Sequence, residues 1–227
     1  MAPSTEPEDF DKPYVLLCEG VGDERFFKKL FEQRGIGKDF HIRVPFRGEG
    51  GVASFGHELT NISVNEFFLA NVKAVLVVGD NDSDMQASFA LIQKEITKAQ
   101  GFGVPDAERT VAKSEGDLPP LVVLMIPLGT TGNLESLCLT AAYSKFGLQQ
   151  ELDAFVATTP AQGWEIGKQA KMRMQTILAA TNERRPDAGF AGHWNSADKY
   201  RIPVDHECFN DLVTFLADFP VLIAAAI

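Results

Sequence analysis

Cysteine is scarce in this chain, with three among 227 residues. Cys18, Cys138 and Cys208 lie far apart and never form a CxxC pair, which excludes a zinc ribbon and a thioredoxin-type dithiol. Two of them sit in apolar runs, where a free thiol packs as a small hydrophobe, and this usage fits a reducing cytoplasm. The four histidines, His41, His57, His193 and His206, show no metal-ligand spacing, and His193, beside Trp194 in an irregular stretch, reads as a surface residue. Positive charge is also in deficit: 21 Lys and Arg face 31 Asp and Glu, for a net charge of −10. The surface as a whole therefore repels nucleic acid and anionic membranes, and a polyanionic ligand would need a local basic patch or a bound metal. No membrane span is expected. The apolar C-terminus, Pro220 to Ile227, is too short for one and should pack on the body or on a partner subunit. Met1 to Asp11 is acidic and Pro-bearing, unlike a signal peptide, and reads as part of a loose tail over residues 1–12. Internal repeats and low-complexity segments are missing.

What the chain does contain is an alternation of strands and helices. Tyr14 to Cys18 is a continuous apolar run bounded by Pro13 and Gly20, the pattern of a buried strand. Asp23 to Arg34 places Phe26, Phe27, Leu30 and Phe31 at helical spacing, with Gly35 as the stop. Phe40 to Phe46 alternates as a second strand, and Gly48, Gly50 and Gly51 suggest a flexible loop. Val52 to Asn71 reads as mainly helical, Ala74 to Val78 as the third strand, and Met85 to Gln100 as the next helix. Gly101 to Pro120 reads as a long loop with an edge strand near Thr110 to Ala112. Leu121 to Ile126 is the fourth strand, and Asn133 is placed to cap a helix running to Tyr143. After Phe146 only helices are expected: Leu148 to Thr158, Glu165 to Thr181 and His206 to Phe219. The fold class is thus α/β: a four-stranded, mainly parallel, Rossmann-like sheet over residues 13–146, flanked by helices, with a helical extension over 147–227 packed on it.

The most informative stretch is Ala74-Val75-Leu76-Val77-Val78-Gly79-Asp80-Asn81-Asp82-Ser83-Asp84. A buried strand ends in three carboxylates at alternate positions, and repulsion makes such a cluster costly unless it holds a divalent cation. Asp84 reads equally well as the cap of the following helix. Ligands of parallel sheets bind beyond the carboxyl ends of the strands. Glu19 follows the first strand, Asp23 lies one helical turn on, and Glu135 opens the helix after the fourth strand, so all are expected at one edge. Carboxylate oxygens suit Mg²⁺ or Mn²⁺, with one firm site and a second, weaker one. Lys171, Arg173, Arg184, Arg185, Lys199 and Arg201 make the C-terminal third the place to grip a phosphate backbone.

Three blocks together, Leu17-Cys18-Glu19-Gly20-Val21-Gly22-Asp23-Glu24-Arg25-Phe26-Phe27, Asp80-Asn81-Asp82 and Gly132-Asn133-Leu134-Glu135, resemble a Toprim domain. They are most similar to the Toprim modules of the overcoming-lysogenization-defect (OLD) nucleases and their small single-domain relatives. The resemblance covers about residues 14–145. It implies Glu19 as metal ligand or general base, Asp80 and Asp82 as ligands, and Asp23 and Glu135 as ligands of a second metal. In nucleases of this type a lysine near the C-terminal end assists at the phosphate; Lys199 is the candidate here, with Lys171 and Arg173 as alternatives. The implied activity is metal-dependent phosphodiester hydrolysis on DNA or RNA by a cytoplasmic protein acting as a homodimer or with a partner subunit. These 227 residues carry no ATPase module of the kind found in the large OLD proteins. The alternative expectation is therefore a non-catalytic Toprim module that binds metal and nucleic acid or a partner protein. A haloacid-dehalogenase phosphatase, whose Asp pair belongs on the first strand, fits less well.

Overall fold

The computed structural model describes residues 10–45, 51–194 and 202–226. Four strands, β1 (Tyr14–Leu17), β2 (Phe40–Arg43), β3 (Ala74–Asp80) and β4 (Leu121–Ile126), form one all-parallel sheet in the order β2-β1-β3-β4. Every residue of β1 and β4 is buried, as expected of strands covered on both faces. From β1 the chain adds β2 on one side and then β3 and β4 on the other, which makes the β1–β3 junction the switch point where parallel sheets open a crevice.

Alternate side chains of the strands feed two separate cores. Leu16, Cys18, Leu76, Val78, Val122 and Leu124 pack against α1 (Val21–Arg34), α5 (Leu134–Phe146), α7 (Ile166–Thr181) and α9 (Asn210–Ala226). Val15, Leu17, Val75, Val77 and Val123 pack on the opposite face against α2 (Phe55–Ser63), α3 (Glu66–Asn71) and α4 (Met85–Lys98). Two shorter helices, α6 (Gln149–Ala157) and α8 (Phe190–His193), complete the first layer. The helices after residue 147 share that layer's core with the sheet: Met174, Ile177, Leu212, Leu216 and Phe219 are all buried in it. Phe219 of α9 meets the rings of both Tyr14 and Phe40, each at 5.4 Å.

Local chemistry explains most element ends. Gly35 and Gly147 take left-handed conformations after α1 and α5, which glycine adopts without strain. Asn65 accepts a hydrogen bond from Phe68 N and starts α3, splitting the single helix expected over Val52 to Asn71. A close approach falls at Gly56 on α2, where a Cβ would lie 2.5 Å from the backbone oxygen of Glu95 on α4. Backbone cannot yield as a flexible side chain can, so Gly56→Ala is expected to cost about 1–3 kcal/mol. Urea unfolding would register this as a lower midpoint at unchanged slope.

Several expectations are corrected. Phe10 is not part of a loose tail: it is 1% exposed, packs edge-on against Phe68 at 5.3 Å and lies under the Arg43 guanidinium. His193 is buried at 5% exposure against Trp194 instead of lying on the surface. The edge strand near Thr110 to Ala112 reduces to one antiparallel bridge, Ala112 to Leu121. The final helix does not stop at Phe219 but runs through Pro220 to Ala226. Buried Phe219 and Ile223, on either side of the proline, outweigh the lost backbone donor. Together with the preceding turn, Glu207–Ala226 spans 20 residues with a mean hydropathy of 1.5, long and apolar enough by composition to cross a membrane. In this fold its Leu212, Leu216, Phe219 and Ile223 stripe packs into the core. Gly48, Gly50 and Lys199 lie outside the described residues.

Candidate metal centre

The register of the sheet brings the acids together. Leu17 pairs with Val77, so Glu19, two residues on, stands level with Gly79 at the end of β3. Its Oε1 accepts a hydrogen bond from Asp80 N at 3.0 Å. A side chain at Gly79 would collide with Ile92 and stand 3.2 Å from that same oxygen, so the strand end needs glycine for the two chains to meet. The glutamate that closes β1 thus turns toward the aspartates that close β3, across the switch point.

Each of the other acids is set by its own element. Asp80 Oδ1 accepts from Leu134 N at 3.0 Å, seating the carboxyl on the N-terminus of α5, where the helix dipole favours negative charge. Asp23, in the first turn of α1, accepts from Gly20 N at 2.9 Å. Glu135 lies in the first turn of α5, whose cap is Asn133 with Ser136 reciprocating. Asp82 is exposed and holds a positive φ of 46°. Its carbonyl accepts from Gly132 N, and its Oδ1 faces Gly167 at the start of α7. Asp84 caps α4 through Ala87 N at 3.0 Å, so its carboxylate already has a structural task.

Asn81, between the two aspartates, is fully buried. Its amide donates to Pro127 O at 2.6 Å and Thr130 O at 2.8 Å, tying the loop after β4 to the end of β3. That loop leads to Asn133 and Glu135, so Asn81 fixes the distance between the two halves of the site. The sequence flagged the flanking aspartates and missed this anchor; its one signal was a polar amide lodged between two site acids.

Charge is concentrated and under-compensated here. Burial first, and then the neighbouring Glu19, Asp23 and Glu135, together push the Asp80 carboxyl up to about 9. Asp23 is pushed up to about 7 by burial and then by Glu19 and Glu135. Glu19 and Glu135 are also raised, chiefly by burial. Among the described residues, the cation acting against this rise at Glu19, Asp23 and Glu135 is Lys171 of α7. Lys171 also lines a cavity of about 290 Å³ with Asp82, Asn133 and Gly167. Of the two alternatives to Lys199, Lys171 faces the acids. Arg173 turns away and pairs with Asp153 at 2.6 Å and with the Tyr143 hydroxyl at 3.2 Å.

As the side chains stand, no group of three or more His, Cys, Asp or Glu among the described residues could close around one ion. Glu19, Asp23 and Asp80 each hold a backbone amide instead. The donor set nevertheless fits a hard divalent cation: the groups are carboxylates, they are partly buried, and their negative charge exceeds what one lysine offsets. Asn81 Oδ1, a buried acceptor with no hydrogen-bond partner, lies in the middle of the motif.

The fold and this site define a three-layer α/β protein with an acidic centre at the switch point of a parallel sheet. The chain belongs to the family described as "Protein of unknown function (DUF3226)", which matches residues 13–219. No curated protein and no solved structure matches it.

Proposed function

We propose that this protein is a Mg²⁺- or Mn²⁺-dependent nuclease of the Toprim type, hydrolysing phosphodiesters of DNA or RNA at the acidic centre. The observation that carries the reading is the meeting of Glu19 with the backbone of Asp80 at the switch point. It brings an acid from β1 to the Asp80-Asn81-Asp82 element, within electrostatic reach of Asp23 and Glu135. In this reading Asp80 and Asp82 would hold the first ion, Asp23 and Glu135 would serve a second, and Glu19 stands beside them as general base. Such ions, when bound, lower the pKa of water and neutralise a phosphate's leaving oxygen. The chain's own residues do the rest. Glu19 takes a proton at its carboxylate, Lys171 orients a phosphate beside the 290 Å³ cavity, and the α5 N-terminus holds Asp80 in place. Cys18 and Cys138 are buried free thiols, which supports action in a reducing cytoplasm. The chain's negative charge leaves it a thin hold on nucleic acid, which favours action as a homodimer or with a partner subunit.

Incubation of the purified protein with supercoiled plasmid and Mn²⁺ tests the reading. Nicked or linear product is expected, and Glu19→Gln should lower its rate by about 10²-fold or more, since even residues that only support metal ligands cost 10–100-fold. Cleavage by Glu19→Gln at the wild-type rate would sink the proposal. Silence of the wild type under several metals, with nucleic acid or a partner protein still bound, would favour the non-catalytic module instead.

A further inference from the structure

We infer that the groove between α5, α6 and α7 is a nucleoside subsite, so that the acidic centre takes an unpaired strand, including one opened in supercoiled plasmid, in preference to a relaxed duplex. This rests on the phosphodiester reading above and names its substrate. The groove encloses about 630 Å³, within the range of small-molecule sites, roughly 300–1,000 Å³. It adjoins the acidic centre directly. Thr131 and Ile166 line it, while their near neighbours Asn133 and Gly167 line the cavity beside Asp82 and Lys171. The two spaces are parted by the Asn133 Nδ2 to Gly167 O hydrogen bond, 3.2 Å long. A strand with one phosphate at Lys171 therefore has its next nucleoside at the groove.

The lining suits a base and sugar better than a phosphate. Its one cation, Arg173, is already neutralised by Asp153, so a phosphate gains little there. Tyr143 and Arg173 instead offer two planar groups joined by a hydrogen bond, beside the apolar Ile166, which is 53% exposed. Thr140 and Ser144, both exposed on α5, add hydroxyls at the rim. Stacking on such a platform strengthens binding by about tenfold or more per base and needs no positive charge. Duplex binding draws its affinity from many phosphate contacts, which a chain of net charge −10 is poorly made to supply.

The test is fluorescence anisotropy with the full chain, in Ca²⁺ at low salt. The probes are labelled oligodeoxythymidylate, oligouridylate, a duplex, and the same strand carrying abasic residues. Wild type is expected to bind at least one unpaired strand more tightly than the duplex. Abasic residues should weaken binding by about tenfold, the scale of one lost stack. The double variant Thr140→Leu with Ser144→Leu, which fills the groove from exposed positions, should match that loss. The DNA and RNA strands decide which sugar the groove prefers. Equal binding of duplex and strand, indifference to the missing base, wild-type affinity in the filled variant, or no binding at all each overturns the inference. The two readings fail separately: a protein that cleaves plasmid but ignores the groove substitutions has lost only its subsite. One that binds through the groove yet never cleaves has lost only its nuclease activity.

Discussion

Asp80→Asn is expected to abolish metal-dependent cleavage and, at the same time, to make the metal-free protein more stable at pH 8. The replacement keeps the shape and the oxygen that accepts from Leu134 N, so the packing at the head of α5 is retained. What changes is charge. A carboxyl raised to about 9 in the folded state titrates near 4 when unfolded. The folded protein therefore binds the proton more tightly than the unfolded chain. Its contribution to stability is complete below pH 4 and is lost as pH climbs toward 9. Asp23, raised to about 7, adds the lower part of the same decline. Metal-free wild type should thus lose Tm steadily from about pH 5 to pH 9, and Asp80→Asn should flatten the upper half of that slope. A tenfold change in proton affinity corresponds to about 1.4 kcal/mol. For a chain of this size a Tm higher by roughly 3–6 °C at pH 8 is the expected scale. Divalent cation should close the gap by stabilising wild type more at pH 8 than at pH 6, with little effect on the variant. Calorimetry across pH, with and without Mn²⁺, reads all of this. A variant that loses activity and stability together would mark Asp80 as a packing residue.

Asn81→Asp is the second large effect, in the opposite direction. The side chain keeps its outline, yet both donors to Pro127 O and Thr130 O vanish. A carboxylate would then face two carbonyl oxygens in a fully buried position, next to Asp80. Lost hydrogen bonds with unsatisfied partners cost about 1–3 kcal/mol each, so a total of at least about 3 kcal/mol is expected. That scale lowers Tm by roughly 6–12 °C. Cleavage should fall as well, because the loop that carries Asn133 and Glu135 loses its tie to β3. Asn81→Asp with wild-type Tm would show that the loop is held by other contacts.

How much of this was legible in the sequence depends on the range of the forces involved. The strands were readable because a strand buried on both faces must be apolar throughout, and Ala74 to Val78 and Leu121 to Ile126 satisfy that in four or more consecutive residues. The meeting of Glu19 with Asp80 followed from the rule for parallel sheets, since both acids stand at the carboxyl ends of their strands. The orientation of Lys171 toward the acids, with Arg173 turned away, was not legible. It depends on how α7 crosses α5, a tertiary fact that no local pattern encodes. The run of α9 through Pro220 was missed for the same reason: proline speaks locally against a helix, and only Phe219 and Ile223 reaching the sheet overrule it. Phe10 lay in an acidic, Pro-bearing segment that resembles a tail, but one aromatic ring was enough to anchor its end. Asp84 illustrates the opposite case, where a single residue has both a cap's position and a ligand's chemistry, and the backbone amide of Ala87 takes it.

The aromatic contact between Phe219 and the pair Tyr14 and Phe40 joins segments far apart in the sequence. During synthesis the opening strands leave the ribosome long before their lid exists. Until α9 emerges, the nascent sheet presents an oily, ring-lined face to its surroundings. The arrival of that one helix is the moment at which these strands become safe from sticking to their neighbours.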